Sequence, residues 1–556
     1  MIESKYWHYW LGGVCLLYFL AIGVDTMDVD ASQYITMSRE MKVTGGYLQV
    51  YEQGRDYLDK PPFLFWISAL SMHVFGENNF AFKFPSILFA VLAIICTYKL
   101  ARIYYDDIIA RMAAFILASS QALFLITNDI RTDTILMGWV SMALWLLTKW
   151  YKEGGLKYFL LGCAAVGGGM LTKGPIAIMV PVFALGSQAL LHRKFNYIFR
   201  KEYLLGLLII SIILLPMCIG LYQQFDLHPE KTMYGRQGTS GLRFFFWTQS
   251  FGRITGESVW DNGAPFGFLF ENLLWGFLPW TLFMIGGLIT GWLMLAKAKF
   301  KLTEDKEGLS IAGFTITYFA LASSNYQLPH YIYVVLPLLA IVTANFLNNF
   351  YSTQYKQFLK SALQIFQIIV LILLCSLPFM ILNFVFPTPQ YYPWLIALLP
   401  IIVFLIYILK NKNDYLRLFN ISILIISSLN IFISLWFYPS LLSYQAGNVV
   451  GRITEKLNID KDAFFMYQYN GSTWNMHFYS KNTIKRIDDP FSYKKEIYVI
   501  TGQEGMTDIK RKSKVFEVIY SGQDFGISAL TPEFLYYKTR KRVSYPYYLV
   551  RLGGRS

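Results

Sequence analysis

Charge is what this chain of 556 residues has least of: Asp, Glu, Lys and Arg make up 15%, while 55% of residues are hydrophobic. An ordinary soluble domain carries about 25% charged residues, so that scarcity excludes one. Cysteine is scarce too. The five, Cys15, Cys96, Cys163, Cys218 and Cys375, all lie in apolar runs, which leaves no disulfide framework and no paired CxxC metal site. There are six histidines, and no second ligand stands near the best of them in sequence. No metal and no cofactor is therefore assigned, and a divalent ion has no ligand cluster behind it. A Gly-rich phosphate loop is missing, which removes ATP as an energy source. Acidic residues are outnumbered 35 to 49, for a net charge of +14. On so apolar a chain the excess fits the membrane charge rule and contact with anionic membrane lipids or phosphate, and no nucleic acid partner is expected.

Long apolar runs are what the chain has instead. They fall near 9–24, 83–101, 110–127, 133–150, 158–171, 175–191, 203–221, 268–295, 309–323, 330–348, 361–384, 390–409 and 418–437. A run of about twenty apolar residues crosses a hydrocarbon core of about 30 Å. The expected fold is a multispanning α-helical membrane protein with about 13 transmembrane helices. The first run could pass for a signal peptide, but no small-x-small cleavage site closes it, so it reads as a retained helix. The loops at 102–109, 151–157, 192–202, 296–308, 349–360 and 410–417 carry most of the Lys and Arg between runs, among them Lys152, Lys194, Lys356, Lys410 and Lys412. Thirteen spans put all six loops on one side, cytoplasmic by the positive-inside rule. The N-terminus is then inside and the C-terminus outside.

Two outer segments are long, 25–82 and 222–267. Within the first, residues 63–75 are too few to span and read as an interfacial or re-entrant helix. The second holds the aromatic run GTSGLRFFFWTQSFGRITG, suited to the headgroup region. From 438 the composition changes. AFFMYQY, EIYVITG and VFEVIYSG read as strands and VVGRITEKLN as a helix. The expected domains are 1–437 in the membrane and 438–556 as a small C-terminal α/β extracytoplasmic domain.

Isolated charges in the outer segments carry the chemistry. In DVDASQYITMSREM, Asp30 can cap a helix with Gln33 at the third position, or serve as a base at the membrane surface. In YLDKPPFLFW, Pro61 and Pro62 restrict Lys60, which either snorkels or neutralises a lipid phosphate. ITNDIRTDTILMGW crowds Asp129, Arg131 and Asp133 into one turn, where unpaired charge is costly; a structural Arg131–Asp133 pair is the plain alternative. LTKGP offers Lys173 and YQLPHYIYVVLP places His330 at the mouth of a span. Carboxylates and cations above an apolar bundle suit a substrate with a lipid tail, a phosphate and a polar headgroup. A lipid or polysaccharide flippase would share the spans, and a scaffold presenting the C-terminal domain would share the topology.

These segments resemble the bacterial multispanning glycosyltransferases with a GT-C fold, the group of the lipid A aminoarabinose transferases and relatives of the protein O-mannosyltransferases. DASQYITMSREM, YLDKPPFLFW, IRTD and LTKGP carry the likeness, with YQLPHYI as a weaker fifth segment. Two positions depart from it: Ala31 stands where many relatives have Glu, and Gln327 where Lys is common. The resemblance implies inverting transfer from a polyprenyl (undecaprenyl) phosphate-linked sugar to a membrane-associated acceptor. Lipid A or another glycolipid is the favoured acceptor and a protein the alternative. It further implies Asp30 as catalytic residue and Lys60, Arg131 and Lys173 as contacts to the donor phosphate. Tyr34, Tyr57, Asp133, His330 and Tyr331 would line the sugar cavity. The location implied is the bacterial inner membrane, with site and C-terminal domain periplasmic.

Overall fold

The computed structural model of the chain describes every residue except 259, 353–356, 410–414, 494, 514 and 554–556. Lys356, Lys410 and Lys412 of the basic loops thus lie outside the described residues. Among those described, six helical stretches are long and apolar enough to cross a membrane alone: Asn79–Ala101, Phe195–Asp226, Pro329–Ser352, Gln357–Val385, Tyr392–Leu409 and Leu416–Leu442. A seventh is gained if Asp107–Ala118 and Gln121–Asn128, bent by 45°, form one span. The expectation of about thirteen is corrected to six or seven.

Length and packing explain the difference. At about 1.5 Å per residue, helices such as Ile176–Leu191 (16 residues) and Leu309–Ala322 (14 residues) are shorter than a hydrocarbon core. The run at 268–295 is two helices, Phe268–Gly276 and Thr281–Lys297. Leu156–Lys173 is diluted by Gly167, Gly168 and Gly169 and lies buried among its neighbours. An apolar run has the same composition whether lipid or protein covers it.

The basic loops meet at one end of the bundle. Lys152 Nζ donates to the Glu304 carbonyl at 2.7 Å, Lys194 pairs with the Glu304 carboxylate at 2.7 Å, and the Tyr105 hydroxyl donates to Glu307 at 2.7 Å. The loops at 102–109, 151–157, 192–202 and 296–308 therefore share a face. From that face the helices Thr132–Glu153 and Leu156–Lys173 run to the opposite end, where Arg131, Asp133 and Lys173 sit. Glycine permits their close approach: a Cβ on Gly168 would lie 2.6 Å from Trp139 Cε2. That contact sets the distance between the two helix ends that carry Asp133 and Lys173.

The chain beyond the last helix builds a five-stranded mixed sheet in the order Lys485–Arg486, Phe464–Tyr467, Ile497–Gly502, Tyr545–Leu552, Phe516–Asp524. The first three strands run parallel, and Tyr545–Leu552 pairs antiparallel on both sides. The three segments read as strands are strands, and all of VVGRITEKLN but its last two residues lies in the helix Ala446–Lys456. Tyr545–Leu552, second from one edge, was not expected, because Pro546 breaks the sequence pattern; it sits next to the end of the ladder, opposite Gln523. The sheet lies at the same end as Arg131 and Lys173, tied to residues 25–36.

Candidate functional site

Six separate segments bring charge to this end. Asp30 begins the helix Asp30–Thr44, Lys60 precedes Pro61 and Pro62, Arg131 precedes the helix Thr132–Glu153, and Lys173 closes Leu156–Lys173. His330 and Tyr331 lie on the helical turn Pro329–Val335, and Arg253 on Gly252–Thr255. The capping box expected at Asp30 does not form. Val29 takes the cap position without a side-chain bond, and the Gln33 amide turns to Glu52 at 2.9 Å.

The Asp30 carboxylate instead bonds Arg131, whose Nε also donates to Asp129 at 2.9 Å. The expected structural pair of Arg131 with Asp133 is thus replaced by two other carboxylates. Asp133, 1% exposed, accepts from Lys173 Nζ at 2.5 Å and faces His330 Nε2 at 3.6 Å. Lys60 bonds Asp59 at 2.5 Å, and the Gln249 amide donates to the same Asp59 carboxylate at 3.0 Å. Tyr34 and Tyr57 are buried behind these pairs, both edge-on to Phe65.

Burial and partners compete in setting each cation's charge. Burial alone would lower the pKa of Arg131, but the carboxylates of Asp129 and Asp30 outweigh it and raise the value above the usual arginine range. Burial likewise opposes the charge on Lys60, and Asp59 reverses the effect. At Lys173 burial wins over Asp133, and the pKa falls to about 8.

Arg253 is different. Its Nη1 donates to the Tyr331 hydroxyl at 2.9 Å, its Nε is buried without a hydrogen-bond partner, and among the described residues it has no ion pair. Lys173 stands 4.1 Å over the ring of the same Tyr331. These three residues and Gln249 line a cavity of about 100 Å³ whose other walls include Leu136, Ile176, Met179 and Leu321. A polar head set on apolar walls can hold an anion attached to a hydrocarbon. A second cavity, about 360 Å³, lies between Trp150, Phe159 and Tyr203 near the basic loops and has no acidic lining. It shares no lining residue with the first. Among the described residues no group of three or more His, Cys, Asp or Glu side chains is placed to hold a metal ion.

Arg253, Asp59 and Gln249 escaped the sequence reading. Arg253 and Gln249 sit in the aromatic run of 222–267, where interfacial Trp and Phe gave a sufficient explanation. Asp59 is a neighbour of Lys60, and adjacency could have marked it.

These features define a multispanning membrane protein whose ionisable groups gather at the end opposite its basic loops. The fold is GT-C-like: ArnT from Cupriavidus metallidurans in complex with undecaprenyl phosphate superposes with a TM-score of 0.74 over 100% of both chains at 15% identity. The apo form of the same protein gives 0.73 over 99% of both. Residues 59–219 match the family model described as dolichyl-phosphate-mannose-protein mannosyltransferase. An undecaprenyl phosphate-alpha-4-amino-4-deoxy-L-arabinose arabinosyl transferase of Edwardsiella ictaluri is 28% identical over 328 residues, 58% of this chain and 55% of that protein. Its counterpart in Aeromonas hydrophila is 29% identical over 299 residues, 51% of this chain and 50% of that protein. In sequence and in fold the chain is thus similar to GT-C-like aminoarabinose transferases. In sequence the chain spans about half the length of the curated relatives it matches.

Proposed function

We propose that this protein transfers a sugar from a polyprenyl phosphate carrier to a membrane-associated acceptor, with inversion at the anomeric carbon. The observation that carries the reading is the uncompensated Arg253 beside Lys173 at the head of an apolar-walled cavity. A lipid phosphate supplies the missing negative charge, and the hydrocarbon follows the apolar walls. Asp30, across the Arg131 bridge, accepts the proton of the acceptor hydroxyl as its oxygen attacks the anomeric carbon. The new C–O bond forms while the bond from that carbon to the phosphate oxygen breaks. Polyprenyl phosphate leaves as an anion held by Lys60, Arg131, Lys173 and Arg253, and needs no general acid. Asp133 keeps Lys173 charged, while His330, Tyr331, Tyr34 and Tyr57 shape the sugar cavity.

The positive-inside rule puts the basic loops in the cytoplasm and the site, with the sheet 438–556, in the periplasm of a bacterial inner membrane. The N-terminus belongs with the basic loops: Arg111, in the helix that starts at Asp107, donates to the Ile2 carbonyl at 2.7 Å. A glycolipid such as lipid A is the favoured acceptor, because a site at the membrane surface meets it without drawing in a polypeptide. The relatives named for aminoarabinose transfer from undecaprenyl phosphate support the donor class. The mannosyltransferase model over 59–219 supports a protein acceptor as the second reading. Purified protein given a polyprenyl-phosphate sugar and lipid A should yield a glycosylated lipid by mass spectrometry. Redistribution of the donor across vesicles without a new glycosidic bond would instead make it a flippase. In a deletion strain, a sugar missing from periplasmic proteins with every glycolipid intact would select the protein acceptor.

A further inference from the structure

The segment before Asp30 has no regular structure of its own, yet two of its amides and the Thr26 carbonyl are held by the C-terminal sheet domain. The Thr26 amide donates to the Tyr479 hydroxyl at 3.0 Å. The Thr26 carbonyl receives the side-chain amides of Asn475 at 3.0 Å and Gln445 at 3.0 Å. Asn475 also donates to the Asp28 carboxylate at 3.2 Å, and the Asp28 amide donates to Gln445 Oε1 at 2.9 Å. Thr26, Gln445 and Asn475 are each no more than 1% exposed. Buried amides are costly unless satisfied, so this set specifies one register for the segment.

The far side of Asp30 is held as well. Thr36 Oγ1 donates to the Trp474 carbonyl at 3.0 Å, and Trp474 Nε1 donates to Glu52 at 2.6 Å, the residue that also receives Gln33. Asp30 is therefore bracketed by contacts to residues 445–479. The groups assigned to the donor phosphate are not. The hydrogen bonds of Lys60, Lys173 and Arg253 run to Asp59, Asp133 and Tyr331, and those of Arg131 to Asp129 and to Asp30 itself.

We infer that Asn475 and Gln445 are positioning residues, through which the C-terminal domain aims the Asp30 carboxylate at the acceptor hydroxyl. The inference rests on the glycosyl-transfer reading above. A displacement of about 1 Å at a reacting group can cost about 10²-fold in rate, so a loosened segment impairs turnover while leaving donor capture intact.

The test uses full-length protein in detergent, with Asn475→Ala and Gln445→Ala compared with wild type. Hydrogen exchange of the amides in 26–32 should quicken by at least about tenfold, with the helix Thr132–Glu153 unchanged. Affinity for undecaprenyl phosphate should stay within about twofold, and kcat should fall by about 10- to 100-fold with the donor KM unchanged. Unchanged exchange would overturn the inference, as would faster exchange with wild-type kcat. Parallel loss of donor affinity would also overturn it, because that is general damage. Trp474→Phe, which removes the bond to Glu52 and keeps an aromatic ring at the position, carries the same expectation if the alanine variants do not fold. A wild-type protein without transferase activity would refute the proposed reaction, and the exchange result would then judge the clamp alone.

Discussion

Replacing Arg253 with Gln should weaken binding of undecaprenyl phosphate while leaving the fold intact. The magnitude follows from what surrounds the guanidinium. It has no ion pair among the described residues, so its removal strands no buried carboxylate; only the Tyr331 hydroxyl loses a donor. A hydrogen bond to a charged group contributes roughly 1.5–3 kcal/mol. At about 1.4 kcal/mol per decade, the dissociation constant for the phosphate should rise by roughly 10- to 150-fold. Uncharged undecaprenol, which shares the tail but not the anion, should bind both proteins alike. Titration of each lipid into detergent-solubilised protein, with thermal unfolding as a control, gives both numbers. Equal losses for the two lipids, or a change of less than about threefold for the phosphate, would refute the assignment of Arg253 as an anion contact.

Four other expectations follow from the geometry. Asp30→Asn should leave undecaprenyl phosphate binding unchanged while kcat drops by about 10²-fold or more, measured as sugar transfer by monodisperse protein; near-normal turnover would leave Asp30 as a structural partner of Arg131. Lys173→Met should be the destabilising change that Arg253→Gln is not, costing about 3–5 kcal/mol because Asp133 is left buried and unpaired, and adding Asp133→Asn should restore part of the unfolding temperature. Donor affinity should decline as pH rises through about 8, where Lys173 loses its proton, and a Lys173→Arg variant should not show that decline. Burial pushes the Asp28 carboxyl up to about 6, so the folded state holds its proton more tightly than the unfolded chain and loses stability as pH rises from about 4 to 6; Asp28→Asn should be neutral at pH 4 and stabilising by up to roughly 3 kcal/mol at pH 7.5.

Much of the site was legible because charge is conspicuous in an apolar chain. Asp30, Lys60, Arg131 with Asp133, Lys173 and His330 stood out on five segments, and the structure brings these segments to one end. Their distant partners were not legible. Arg131 bonds Asp30, 101 positions away, in preference to Asp133 two positions on, because the start of the helix Thr132–Glu153 turns Asp133 toward Lys173. Local spacing offers the near pair and only packing selects the distant one. The basic loops announced a common face by composition, and four of the six are joined there. The number of spans failed for the reason that hid Arg253: hydropathy records how apolar a stretch is and leaves out what covers it. Lipid, a neighbouring helix and an aromatic loop over a cavity leave similar traces in sequence.

That limit bears on how the site is built. Three of its cations are paired with carboxylates, Lys60 with Asp59, Arg131 with Asp30 and Asp129, and Lys173 with Asp133. Such pairing lets charge sit beside hydrocarbon without an anion present, since an isolated buried ion is far more costly than a paired one. It also consumes most of the attraction a phosphate would feel. An arginine without an ion pair among the described residues resolves the conflict, because no neighbouring carboxylate already cancels its field. Adding a carboxylate beside it, for example by Ser250→Asp in the same cavity wall, should therefore suppress phosphate binding as strongly as removing the arginine, with little effect on undecaprenol. Retained phosphate affinity in that variant would mean that the paired cations, by exchanging partners, hold the donor instead.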